Sequence, residues 1–298
     1  MLFDGHAIIH RAFHAIHHLT TPSGEPINAV FGFTSILLNI IEIEQPDFFA
    51  ITFDRKGPTF RHHADKEYKA TRTKCPNELI MQIKKVYEIA RAFSIPIFAK
   101  KGFEADDLLG TICREVEKEP NLKTIITSGD SDLLQLITPK VSVHDLTGGY
   151  RKSVNFTPEK VIEKYGFEPR FITDFKGMAG DASDNIKGVA GIGTKTATRL
   201  IQQFGTIENI YQHLTEIKST IREKLERNRE SAFHAKKMAT IRCDAQLDFD
   251  LASCRTSKID QETVLELFHK LNFVSLERRF KKIFSPLKNE PSIQQSLF

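Results

Sequence analysis

A chain of 298 residues can bury a full hydrophobic core, and its size suits two compact units or one large unit with an appended lobe. Its formal charge of +4 and pI near 8.7 permit a polyanionic partner without demanding one, so charge has to be weighed locally. The four cysteines, Cys75, Cys113, Cys243 and Cys254, show no CxxC spacing, no signal peptide opens the chain, and no apolar run approaches the roughly 20 residues that span a bilayer, so a reduced, cytoplasmic, monomeric protein with no membrane role is expected.

Through the first half, short apolar runs alternate with longer amphipathic stretches, the pattern of strands separated by helices and hence of a parallel sheet in an α/β fold. Strands are expected at 2–3, 48–53, 95–99, 124–127 and 141–144. Core-facing helices are expected at 30–42 and 77–93, the latter because Leu79, Ile83, Val86, Ala90 and Phe93 recur at helical spacing. After Thr157-Pro158 the pattern turns helical, in short segments punctuated by glycines, and the change of unit falls near Arg170. This divides the chain into an α/β domain over 1–170, an α-helical unit over 171–284 and a flexible tail over 285–298, where Pro286 and Pro291 interrupt any periodicity.

In open α/β sheets ligands bind beyond the carboxyl ends of the strands. Every such end is acidic here: Asp4 follows the first strand, Asp54 the second, Glu104 with Asp106 and Asp107 the third, and Asp130 with Asp132 the fourth. A single aspartate at such a place is commonly a helix cap. Independent caps, however, have no reason to gather at the same end of four strands. Unit charges about 4 Å apart repel by roughly 4 kcal/mol at an effective dielectric of 20, so the cluster needs cations. Oxygen-only ligation, with no Cys or His expected at suitable positions, favours a hard ion, Mg²⁺ or Mn²⁺, over zinc, with two or more per site, and paired hard ions are the recurrent equipment of in-line phosphoryl displacement.

Residues 180–197 join Asp181 and Asp184 to the glycines Gly188, Gly191 and Gly193, and a helix is expected to begin around Thr194. Glycines allow a backbone to approach a phosphate, a helix start offers free N–H groups, and Lys195 adds charge, which suits a nucleic-acid backbone read without its bases. A P-loop is excluded because Thr194 separates Gly193 from Lys195, and a dinucleotide fingerprint because Thr196 stands where its third glycine belongs. Between Arg55 and Lys74 seven basic residues face two acids, with Phe60 and Tyr68 interleaved, which predicts an element that grips a strand. His6, His10, His14 and His18 recur every four residues, which reads as an exposed or DNA-facing helix side rather than a transition-metal stripe.

At this point the chain resembles the 5′ nuclease domain of bacterial DNA polymerase I and its flap-endonuclease relatives. The resemblance is carried by Phe3-Asp4-Gly5, Arg11-Ala12-Phe13-His14-Ala15, Phe53-Asp54, Tyr68-Lys69-Ala70-Thr71-Arg72, Glu104-Ala105-Asp106-Asp107, Gly129-Asp130-Ser131-Asp132 and residues 180–197, in order from 2 to about 283. It implies a PIN-like sheet flanked by helices, a helical arch over 56–95, and a helix-three-turn-helix that holds duplex DNA. It implies that Asp4, Asp54, Glu104, Asp106, Asp107, Asp130, Asp132, Asp181 and Asp184 serve the metals, with Asp4, Asp54, Asp106 and Asp130 central to catalysis. Lys69 and Arg72 would steady the scissile phosphate. Arg11, Arg55 and Tyr68 would meet a DNA strand, and Gly188, Gly191, Gly193 and Lys195 the duplex backbone.

The activity so implied is structure-selective 5′-3′ exonuclease and flap cleavage in bacterial replication and repair, at the nucleoid. The alternatives are a DNA-binding module without chemistry and a PIN-type ribonuclease. The first strand is shorter than the family's usual apolar run, and no polymerase sequence follows Phe298, so an incomplete start and either a freestanding nuclease or the front of a polymerase are expected. The ending Gln294-Gln295-Ser296-Leu297-Phe298 resembles a sliding-clamp peptide, with Gln294, Leu297 and Phe298 as anchors on a polar tether.

Overall fold

The computed structural model describes residues 1–147 and 153–285, so the tail beyond Ser285, with Gln294, Leu297 and Phe298, lies outside the described residues. Five strands run parallel: β1 (Leu2–Asp4), β2 (Ala50–Thr52), β3 (Ile97–Phe98), β4 (Thr124–Ser128) and β5 (Val141–Asp145). A sixth, β6 (Val154–Phe156), pairs antiparallel with β5, giving the order β3-β2-β1-β4-β5-β6. This edge strand was not expected. Its three residues are too few to show an alternating pattern, and the partner strand, not local sequence, holds it extended.

Because side chains alternate across a pleat, β1 and β2 supply both faces: Leu2 and Ala50 enter one apolar cluster, Phe3 and Ile51 the other. On the second face lie α1 (Gly5–Ala15), α2 (Asn28–Glu44) and, beyond the short α3 (Phe60–Ala64), α4 (Asn77–Ala92). The apolar run of α2 buries Val30, Phe33, Leu37 and Leu38, and its start is completed by Gln82 Oε1, which accepts the free amides of Ala29 and Val30 at 2.8 and 3.3 Å. On the first face α5 (Ala105–Val116) packs Leu109 and Ile112 against Leu2 and Ile126.

The helical half continues as α6 (Pro158–Tyr165), α7 (Ile172–Ala179), α8 (Thr194–Phe204), α9 (Ile207–Gln212), α10 (Ser219–Arg227), α11 (Arg229–Ala239), α12 (Gln261–Lys270) and α13 (Val274–Phe284). Two expected boundaries need correction. The arch was placed over 56–95, yet Leu79, Val86, Ile89 and Ala90 of α4 are buried against α2, because their helical spacing makes one continuous apolar face. Only the stretch before α4 is left to stand over the strand ends. The second unit was drawn through 284, yet Val264, Phe268, Leu276 and Phe280 of α12 and α13 join the cluster of α2 and α4.

Candidate active site

Four acids converge at the carboxyl ends of adjacent strands. Asp4 ends β1 and caps α1, its Oδ1 accepting the Ala7 amide at 3.0 Å and its Oδ2 the Ser128 hydroxyl at 2.7 Å. Asp54 follows β2 and accepts the Ala105 amide at 2.7 Å, which fixes the start of α5 beside it. Asp106 sits in the first turn of α5, and Asp130 follows β4, where it accepts the Asp132 amide at 2.9 Å. All four line one open cavity of about 550 Å³, together with His6, His10, Lys69, Arg72 and Glu104.

Their electrostatics are those of an under-neutralised cluster. Burial lifts the Asp4 carboxyl from its ordinary 3.8 to about 6; the Ala7 and Ser128 hydrogen bonds oppose the rise, and Asp54 and Asp130 add to it. Asp106 is raised well above the usual range by burial and by repulsion from Asp130 and Asp4, and among the described residues it has no hydrogen bond or ion pair. Burial also raises Asp130, against the pull of Lys176.

The other expected metal acids are already paired. Asp107 is a correction: it is 0% exposed, and its two oxygens take a bidentate pair from Arg61 at 2.9 Å while also accepting the amides of Glu104 and Arg242. It holds the start of α5 and is closed to an ion. Glu104 faces Lys69 at 2.9 Å and Arg61 at 3.4 Å, and although burial would raise its carboxyl, these cations bring it below the usual range. Asp184 pairs with Arg72 at 2.6 Å and Lys69 at 3.6 Å, and Lys176 joins Asp132 to Asp181. Among the described residues no three His, Cys, Asp or Glu side chains yet surround one point closely enough to hold an ion. The oxygen-only, charge-excess donor set of Asp4, Asp54, Asp106 and Asp130 fits a hard cation in chemistry.

Tyr68 is the second correction. Expected to present its ring to a strand, it is 4% exposed and places its hydroxyl 2.9 Å from Glu104 and 3.0 Å from Asp184. The Lys69 amide donates to the Asp184 carbonyl, and the Asn185 side chain to the Glu67 carbonyl, so the base of the arch is fastened to the turn after α7. That turn closes by paired bonds between Asp181 and Ile186 and leads through Gly188, Gly191 and Gly193 into α8, which begins at Thr194 as expected. The amides of Ala190, Gly191 and Gly193 donate to nothing among the described residues. Lys195 lies exposed on the first turn of α8 beside them, and Lys224 donates to the Gly191 carbonyl.

Arg11 reaches the Thr147 carbonyl at 2.9 Å, and Arg55 is exposed after Asp54. The histidine stripe is cut short, since α1 ends at Ala15 and His18 lies past it with φ +52. His6 Nδ1 accepts the Asp54 amide at 2.9 Å, a contact that only the packing of α1 on the sheet creates. Sequence reasoning missed three residues. Arg61 was counted as a charge, but it is 3% exposed and also donates to the carbonyls of Met238 and Thr240. Lys176 had no role assigned, because a single cation on a helix carries no positional signal, and His6 was expected on an exposed or DNA-facing helix side, whereas it lines the acidic cavity and holds the Asp54 amide.

Two family models divide most of the chain: the N-terminal resolvase-like domain of 5′-3′ exonucleases matches residues 1–166, and the C-terminal SAM fold of the same family matches 167–262. DNA polymerase I of Caldicellulosiruptor bescii is 42% identical over 281 residues, covering 94% of this chain and 33% of the relative. The Bacillus subtilis DNA polymerase I is 36% identical over 295 residues, covering 99% and 33%. The chain therefore spans about a third of the length of these relatives. Among solved structures, the phage T5 5′-exonuclease with divalent metal ions superposes with a TM-score of 0.67 at 20% identity, over 95% of this chain and 97% of that one. The catalytic core of Rad2 in complex with DNA gives 0.63 at 14%, over 96% and 91%. These likenesses establish a PIN-type sheet with an appended SAM-like helical unit, and by its matching domains the chain belongs to the 5′-3′ exonuclease family.

Proposed function

We propose that the chain hydrolyses DNA phosphodiester bonds as a 5′-3′ exonuclease and flap endonuclease, with Mg²⁺ or Mn²⁺ held by Asp4, Asp54, Asp106 and Asp130, and with Asp132, Asp181, Asp184 and Glu104 around them. The observation that carries the reading is the convergence of four incompletely neutralised acids on a cavity that Lys69 and Arg72 also line. Bound hard ions would supply activated water and stabilise the leaving oxygen. The protein's own groups do the rest. Arg72, with half its side chain exposed, and Lys69 can exchange Asp184 and Glu104 for the scissile phosphate. Free amides at Gly191 and Gly193, the close backbone turn at Gly188, and Lys195 engage the duplex backbone, and Arg11 and Arg55 extend the strand path. Tyr68 positions the two acids that Lys69 touches.

The solved relatives described with metal ions and with DNA support this reading by their shared fold. We place the activity in bacterial replication and repair at the nucleoid, as a monomer acting alone or as the front of a DNA polymerase I. Binding of a sliding clamp by the tail belongs to the same proposal. No helix among the described residues is long and apolar enough to cross a membrane.

Flapped and nicked duplexes labelled at either end test the chemistry. Cleavage is expected with Mg²⁺ and not with EDTA, leaving 5′-phosphate and 3′-hydroxyl products. Asp130→Ala should lose roughly 10³-fold in rate, the equivalent of several kcal/mol of transition-state stabilisation, with flap binding retained. Undiminished cutting by that variant, or cutting in EDTA, would exclude the proposed site.

A further inference from the structure

Of the acids expected to serve metal ions, one set faces an open cavity with its charge largely uncompensated, and another already holds a cation that belongs to the protein. The clearest case is Lys176. It lies on α7, one turn before Gly180, and is 8% exposed. Its ammonium contacts Asp132 Oδ1 and stands 2.5 Å from Asp181 Oδ2, and the two carboxylate side chains are 14% and 10% exposed. Asp132 comes from the turn after β4 and Asp181 from the turn after α7, so the lysine joins the sheet unit to the helical unit at the edge of the site.

We infer that Lys176 is the resident counter-cation of a second ion position, Asp132 with Asp181, and that its ammonium must leave before a divalent cation can settle there. The inference rests on the reading of the site given above and deepens it: the DNA-free chain has one readily loaded position, at Asp4, Asp54, Asp106 and Asp130, and one held shut. Three observations support this. Among the described residues the first set has no Lys or Arg within ion-pair distance, its one such contact being His6 with Asp54 at 3.5 Å. Asp181 Oδ1 is separately occupied by the amide and hydroxyl of Ser183 at 2.9 and 2.5 Å, leaving Oδ2, which the lysine holds, as its remaining ligand atom. Finally, a buried ammonium cannot simply be pushed aside, because moving it away from both carboxylates uncovers a desolvated charge.

The test is Mn²⁺ binding to the DNA-free 298-residue chain, followed by loss of the free-ion EPR signal and by calorimetry. The unaltered chain should take up a first Mn²⁺ far more tightly than any second. Lys176→Met should tighten the second by about tenfold or more, since it removes a unit charge in contact with both ligands. Lys176→Arg should leave the second ion weak, and Asp181→Asn added to Lys176→Met should abolish the gain. Two equally tight ions in the unaltered chain would overturn the inference. So would an unchanged second affinity in Lys176→Met, or a gain that survives Asp181→Asn. Should Lys176→Met fail to fold in EDTA, circular dichroism decides: recovery on adding Mn²⁺ that is lost with Asp181→Asn supports the inference, and no recovery refutes it. No Mn²⁺ uptake at all, or uptake indifferent to Asp106→Asn, would bring down the reading of the active site itself.

Discussion

Asp4 shows how one side chain can serve the fold and the chemistry at once, since it caps α1 through the Ala7 amide and also lines the acidic cavity. The double duty is costly without a cation. Burial carries its carboxyl from 3.8 to about 6, and because this lies above the value in an unfolded chain, the protonated form is the one that folding favours. The penalty is therefore absent below about pH 4, grows as the pH rises towards 6, and is complete above it, on the order of 3 kcal/mol at 1.36 kcal/mol per pKa unit. In EDTA at pH 7.5, Asp4→Asn is expected to be more stable than the unaltered chain by roughly 2–3 kcal/mol in urea unfolding, with the gap shrinking towards pH 4. Mg²⁺ should close it from the other side by stabilising the unaltered chain alone. A gap independent of pH would show that the carboxyl is not strained as described. Asp4, Asp54, Glu104, Asp106, Asp107, Asp130 and Asp132 were legible in the sequence because each follows a strand. Which of them lie open and which are paired was not, since Arg61, Lys69 and Lys176 reach Asp107, Glu104 and Asp132 from 46, 35 and 44 residues away and only packing decides the match.

At the scale of elements, the turn between α7 and α8 is held by backbone against backbone. A Cβ on Gly188 would lie 2.3 Å from the Gly180 nitrogen and 2.6 Å from the Met178 oxygen, and neither can move without opening the turn. Val189 donates to that same Met178 oxygen at 3.0 Å, so the crossing sets the direction in which the free amides of Gly191 and Gly193 face. Gly188→Ala is expected to cost about 1–3 kcal/mol through overpacking and to weaken duplex binding at least about tenfold, with flap cleavage falling mainly through a higher KM. Unchanged DNA affinity in a folded variant would mean the hairpin does not meet the phosphates. This turn was legible because glycine spacing is a local signal. The arch was less so: Leu79 to Ala90 show a helix but not which neighbour it covers, and Val154 to Phe156 become a strand only because β5 lies beside them.

For the molecule as a whole, the chain's return path matters as much as its two units. After α11 it runs back to place α12 and α13 on α2 and α4, where Phe268 and Phe280 are 0% exposed and meet Phe93 at 6.1 and 5.6 Å between ring centroids. Arg279 adds an ion pair with Glu42 of α2. Periodicity in the sequence marks both helices as amphipathic, but an amphipathic face does not say which cluster will receive it, which is why the helical unit was drawn too long. The last helices therefore belong to the stability of the unit that carries the acids. Phe280→Ala should destabilise the chain by about 3–5 kcal/mol, the usual cost of deleting a buried aromatic side chain. None of the residues lining the acidic cavity surrounds that ring, so kcat per folded molecule should stay close to that of the unaltered chain. The measurement pairs urea unfolding with flap cleavage at a temperature where both proteins are folded. A fall in kcat without loss of stability would show that α13 acts on the site rather than on the core beneath it.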